Sequence, residues 1–254
     1  MRQKCIPLVL LCLSTSLFAS DECRHYYVGG SAGYSRGMIS NRDPQIQYAN
    51  GTLTDAYPSR NIQANTLIGS LNGGYEFGGT GKVPSVALGL GVYVNPTRYL
   101  FRGQLIETPL NDASNLLYNY KYTINTTRVM AEAQFTWLIG NVTPFLNVGL
   151  GTSFNHIASY SESVATSDGY VPLPPYQSHT NTNFVYQVGC GIGYAFDYTY
   201  DSDIDYLRER VSIGYLYANL GSTSLGTRGS VYPYSINAGN FETNNIYISY
   251  THMF

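Results

Sequence analysis

Charge is scarce in this sequence. Lys, Arg, Asp and Glu make up 12% of its 254 residues, against the usual quarter. The balance of 14 basic and 16 acidic residues offers no cationic platform for nucleic acid. Cysteine is scarce as well. Cys5 and Cys12 lie in the amino-terminal run; Cys23 and Cys190 are too isolated for a disulfide framework and lack zinc-site spacing. Both read as unpaired, and no cofactor or metal site is expected. Tryptophan occurs once. No apolar run reaches the ~20 residues a membrane-spanning helix needs. The mean hydropathy of −0.13 likewise argues against a helical membrane protein.

What fills the gap is 25 tyrosines and 26 glycines, with many Asn, Ser and Thr. A tyrosine ring prefers an apolar boundary and its hydroxyl prefers water. So many tyrosines predict a long border between grease and water. Two such borders, one at each membrane interface, mark transmembrane barrels.

The first twenty residues, "MRQKCIPLVLLCLSTSLFAS", open with Arg2 and Lys4 and continue as an apolar run from Ile6 to Phe18. This is the pattern of a secretory signal, with cleavage expected after Ala19 or Ser20. Residues 21–254 form the remaining unit. They hold 12 basic and 16 acidic residues, so 12 − 16 = −4.

Eight segments alternate with period two, the mark of a half-buried strand. They begin with "YYVGGSAGYS" at Tyr26 and end with "IYISYTHMF" at Phe254. In the last, Ile246, Ile248, Tyr250, His252 and Phe254 share one face; Asn245, Tyr247, Ser249, Thr251 and Met253 share the other. The fourth, about residues 118–138, loses its alternation near Thr126–Thr127, which predicts a bulge. The connections alternate in length. Residues 37–61, 95–117, 156–183 and about 219–241 are long and polar; 78–82 and 139–142 are short, and 197–208 is intermediate. An all-β, eight-stranded antiparallel up-and-down transmembrane β-barrel has this pattern, with short turns on the periplasmic side. Aromatics then fall at two depths. Tyr26, Tyr75, Phe77, Trp137 and Phe254 lie at the short-turn end, and Tyr34, Tyr122, Phe154, Tyr186 and Tyr217 at the long-loop end. The second face carries Glu76, Arg128 and Glu132 among Gly, Ser, Asn and Gln. Charges facing lipid at mid-depth cost about 2–4 kcal/mol each, so this face should line the lumen. Glycines between the polar groups leave them room, and an eight-stranded lumen is filled by side chains.

The "PFLNVGLG", "VGCGIGYAF" and "VSIGYLY" stretches and the terminal "SYTHMF" resemble the eight-stranded outer-membrane barrel superfamily. That group includes opacity-type surface proteins, OmpX/Ail-like adhesins and the OmpA transmembrane domain. The resemblance covers nearly all of residues 21–254. It implies export by a Sec-type signal to the outer membrane of a Gram-negative bacterium. It also implies that the last strand is the sorting signal read by the barrel-assembly machinery. Tyr250 and Phe254 match its aromatic positions, and His252 departs from the usual apolar choice.

For function, the long loops are the expected contact surface. "YVPLPPYQSH" offers Tyr170 and Tyr176. "RYLFRGQLI" offers Arg98 and Arg102, suited to lipopolysaccharide phosphates or a host surface molecule. The plainer reading is that these residues pack the loops against one another. A structural or adhesive surface protein is the first expectation and a narrow porin-like channel the second. A lipid A-modifying enzyme is the remote third, since that chemistry needs a hydroxyl beside an imidazole. The candidates there are His156 with Ser153, and Ser178 with His179. The expectation is that the protein is not an enzyme.

Overall fold

The computed structural model describes residues 24–40, 45–47, 53–56, 62–78, 83–109, 116–164, 176–196, 199–201, 204–206, 209–227 and 237–254. The expected signal, Cys23 and Tyr170 lie outside the described residues. Among the described residues, fifteen strands follow in chain order. They are β1 (Arg24–Ser40), β2 (Gln45–Gln47), β3 (Leu53–Ala56), β4 (Ile62–Phe77), β5 (Ser85–Val94), β6 (Tyr99–Pro109), β7 (Leu116–Thr136) and β8 (Val142–Val164). The rest are β9 (Tyr176–Gln177), β10 (His179–Phe196), β11 (Thr199–Asp201), β12 (Ile204–Tyr206), β13 (Glu209–Ser224), β14 (Gly226–Thr227) and β15 (Asn237–Met253).

Eight of them close a ring in the order β1–β4–β5–β7–β8–β10–β13–β15, with β15 returning to β1 and every pairing antiparallel. The carboxyl-terminal strand closes it. Phe254 N–H donates to the Tyr26 carbonyl at 3.0 Å, and Tyr26 N–H donates to the Phe254 carbonyl at 3.1 Å. A closed ring leaves no unpaired edge among its strands, which is what hydrocarbon demands of a sheet.

The exterior is greasy. Leu71 is 72% exposed, Leu90 64% and Ile248 60%, and Leu150, Ile213 and Ile246 join them in one belt around the ring. An exposed apolar band of this extent would aggregate in water. It is a transmembrane barrel. Tyr26, Phe196, Tyr194 and Phe254 border the belt at the short-turn end, and Tyr34, Phe154, Phe184 and Tyr186 at the long-loop end.

The interior of the belt is polar, as the alternation requires. Glu76, Arg128, Glu132, Asn147, Gln187 and Arg210 are buried inside. Two lumen glycines make the room expected of them. A Cβ on Gly91 would sit 3.0 Å from the Glu132 carboxylate, and one on Gly149 would sit 3.0 Å from Gln187 Cγ.

Beyond the belt the strands continue and the two faces exchange chemistry. On β7, Arg128, Met130 and Glu132 point inward while Val129 and Ala131 point outward. Farther along, inward residues are Tyr118, Tyr120, Tyr122 and Ile124; Asn119 and Lys121 face out. The facing never slips: every even-numbered residue from Tyr118 to Glu132 is buried. The apparent break at Thr126–Thr127 is therefore a change of solvent outside the wall, from lipid to water. The inner core of this extension includes Ile39, Ile62, Phe101, Leu105, Ile157, Leu220 and Phe241.

Two sequence expectations change as a result. Much of the connections read as long loops is strand: β6 falls inside 95–117, and β8 and β10 run well into 156–183. Polar outward residues made these segments look like loops, although period two persists in them. Tyr122, expected in the outer girdle, is 3% exposed and belongs to the inner core. The irregularities sit elsewhere. Four residues, 95–98, oppose two between the pairs Val94↔Thr127 and Tyr99↔Ile124. On β8, Ser159 takes φ 57° at the register shift opposite Lys121–Thr123. The shift lets Ile157 and Tyr160 both face inward.

Candidate functional site

The lumen and the extension form one stack of layers. Lowest is a small apolar floor of Tyr27, Ala87, Ala195 and Met253. Near it, Ser85 Oγ donates to Glu76 Oε1 at 2.6 Å, and Arg210 Nη1 donates to Thr136 Oγ1 at 3.3 Å. A small polar chamber follows, lined by Ser31, Ser70, Asn72, Asn147, Ser212 and Ser249.

A knot around Glu132 roofs the chamber. Tyr93 Oη and Gln187 Nε2 both donate to Glu132 Oε1. The Arg128 guanidinium lies over the Tyr93 ring, 4.4 Å from its centroid. One tyrosine thus serves an anion through its hydroxyl and a cation through its face. A second polar layer caps strand irregularities. Thr126 Oγ1 donates to Asn155 Oδ1 at 2.7 Å. Ser153 Oγ and Asn155 Nδ2 each reach the Leu220 carbonyl at 2.9 Å. That carbonyl is freed from the ladder by the β13 bulge, where Gly221 takes φ 79°.

Above this layer the bore is full of rings. Phe101 stacks on Tyr99 at 6.2 Å and on Tyr122 at 5.5 Å. Phe241 meets Tyr99 edge-on at 5.2 Å. Tyr120 continues the stack to Tyr122 at 6.1 Å and Tyr160 at 6.3 Å. Burial pushes the Tyr122 hydroxyl far above the ordinary phenol range, and Tyr120 adds to the shift. Burial also raises Tyr99, against the opposing pull of its Ser35 hydrogen bond. Both rings lie outside the membrane-spanning segments.

The residues singled out from sequence fall in different places. Arg98 and Arg102 are exposed on the outer surface, Arg98 in the 95–98 bulge and Arg102 on β6. Tyr176 is not offered to solvent: it is 6% exposed and packs edge-on against Tyr160 at 5.0 Å. His156 and Ser153 are not brought together. They lie three apart on β8, so one faces out and the other, fully buried, faces in. His156 Nδ1 instead meets Thr180 Oγ1 at 2.9 Å on the outer surface. Ser178 lies in the break between β9 and β10, and both it and His179 are exposed. Tyr250 and Phe254 are on the lipid-facing side. His252 stands directly across from Glu209, with Nδ1 3.8 Å from Oε1. Lys121 escaped the sequence reading altogether, although its outward position follows from the parity of Tyr120 and Tyr122.

No family model and no curated protein matches the chain. Among solved structures it is similar to Ail, the attachment invasion locus protein of Yersinia pestis. Identity is 11%, the alignment covers 90% of this chain and 99% of that one, and the TM-score is 0.34. It is similar to the outer membrane protease OmpT of Escherichia coli at 11% identity, covering 91% and 96%, with a TM-score of 0.28. The translocator domain of the autotransporter NalP of Neisseria meningitidis follows at 9%, covering 90% and 88%, with a TM-score of 0.29.

Proposed function

We propose that the protein sits in the outer membrane of a Gram-negative bacterium and works by contact, as an adhesive or structural surface protein. The exchange of faces beyond Val94 and Val129 carries this reading. A pore needs a wetted passage, whereas here Phe101, Tyr122, Ile124 and Phe241 fill the bore and polar groups coat the outside. From Phe154 to Val164, β8 climbs roughly 25 Å beyond the belt at ordinary strand rise and barrel tilt. The extension is a pedestal that lifts the connections past the lipid head groups, where a host surface molecule is within reach. Arg36 and Arg98 lie just outside the belt and suit lipopolysaccharide phosphates. Tyr250, His252 and Phe254 are read as the signal to the barrel-assembly machinery.

A narrow channel is the second reading, favoured by the polar chamber around Ser31 and Asn147. Catalysis has less support, because the hydroxyl–imidazole pair of His156 and Ser153 is divided between two faces. The test replaces residues 165–175 with a Gly-Ser linker, sparing β8 and β9. Adhesion of cells, serum survival and planar-bilayer conductance are then measured separately. Reduced adhesion or survival with a folded barrel, and no stable openings in the unaltered protein, is the expected result. Large stable openings in the unaltered protein would overturn the contact reading.

A further inference from the structure

We propose that the outer surface of β6, β7 and β8 carries a binding trough for a saccharide bearing phosphate or sulfate. The proposal rests on the contact reading above and gives it a ligand class. Three consecutive residues on three neighbouring strands build the trough in strict register. Arg102 pairs with Lys121 and Lys121 with Ser161; Gly103 with Tyr120 and Tyr120 with Glu162; Gln104 with Asn119 and Asn119 with Ser163. The middle row turns its side chains inward and leaves its backbone as the floor. The outer rows form two walls around a cleft of about 490 Å³.

The charge arrangement points to an anion. Arg102 and Lys121 are exposed and directly opposite one another on paired strands. Like charges so placed destabilise a sheet, and an oxyanion between them reverses the sign. Asn119, Ser161 and Ser163 add an amide and two hydroxyls, the complement for the oxygens of a sugar. The acid in the middle row, Glu162, is engaged from the core side: Tyr160 Oη donates to its Oε1 at 2.6 Å. The floor is held in place. Tyr120 lies between Tyr122 and Tyr160 in the ring stack. Its hydroxyl occupies the space a Gly103 side chain would need. A site on stacked strands is held more firmly than one on loop tips.

Height decides what carries the anion. Lys121 is eight residues beyond Val129, where the apolar belt ends on β7, or roughly 20 Å along the barrel axis. That is beyond the phosphates at the lipid interface, so the charged group must sit on a sugar chain. Two sources have this chemistry: the phosphorylated core of the cell's own lipopolysaccharide, and the sulfated glycans of another cell.

The experiment uses the full mature chain in detergent and titrates four probes. These are deacylated phosphorylated core oligosaccharide, its dephosphorylated form, a heparin octasaccharide and its desulfated form. Arg102→Gln with Lys121→Gln is compared with the unaltered protein, and folding is confirmed by gel mobility without boiling. At least one charged probe should bind, about tenfold or more weaker to the double variant and weaker as salt rises. Binding of the core alone assigns the site to the cell's own envelope; binding of heparin alone assigns it to another surface. Failure of both charged probes to bind the unaltered protein overturns the proposal. So does equal binding by the double variant or by the uncharged forms. If adhesion survives while neither probe binds, the trough falls and the contact reading stands.

Discussion

Truncating Phe101 should unfasten the extension and leave the membrane barrel intact. Phe101 is fully buried and touches Tyr99, Tyr122 and Phe241, the last at 6.0 Å. Phe→Ala at such a site costs about 3–5 kcal/mol, and favourable aromatic pairs add about 0.5–1.5 kcal/mol each within that figure. The cost falls on a local unit, because none of these rings lies within the belt. At 1.4 kcal/mol per factor of ten, the opened population of the extension rises by roughly two to three and a half orders of magnitude. Limited proteolysis of the protein in detergent reads this population when opening is faster than cutting. Cleavage within β6, β7 and β8 should accelerate, while the unboiled protein still migrates compactly. Two results would refute the reasoning. Unchanged cleavage would mean the rings do not hold the extension, and loss of compact migration would mean the two halves are one cooperative unit.

Three further outcomes are expected. Glu132→Leu leaves the Tyr93 and Gln187 donors without their carboxylate and the buried Arg128 without a nearby anion. It should lower the unfolding free energy measured by urea titration of the refolded barrel by about 3–5 kcal/mol, the cost of breaking a buried pair, whereas Lys121→Ala should leave it unchanged. High pH should open the extension. Tyr122 has a folded value raised above the unfolded value near 10, so its contribution is complete below pH 10 and is lost as pH rises further. The slope reaches about 1.4 kcal/mol per pH unit, and Tyr122→Phe should flatten it in a tyrosinate absorbance titration. Removing Phe254 deletes the reciprocal bonds to Tyr26 and should sharply reduce the heat-modifiable fraction recovered from outer membranes; full recovery would show that ring closure does not depend on it.

Much of the barrel was legible because lipid imposes a simple rule. Ile246, Ile248 and Tyr250 alternate with Asn245, Tyr247 and Ser249, and the structure places the first set outward and the second inward. The rule failed where the solvent changed. Tyr118 to Ile124 keep the same period, but outside the bilayer the greasy face must turn inward, so the same alternation carries the opposite meaning. A parity count would have found this: apart from Met130, the apolar residues of β7 are odd-numbered from Val129 to Phe135, and those from Tyr118 to Ile124 are even-numbered. It would also have placed Lys121 outward and separated Ser153 from His156. The trough was beyond sequence reading for another reason. Arg102, Lys121 and Ser161 meet only through a register that bulges at 95–98 and Ser159 had already shifted.

The exchange of faces also fixes how deep the molecule rides. Pushing the cylinder inward by one strand repeat would drive Asn125 and Thr127 into oil. Pulling it outward would strand Leu67 and Val94 in water. Both displacements are opposed on several staves at once, so the waterline is written into the wall itself. The height of everything mounted above it is set by where that waterline falls.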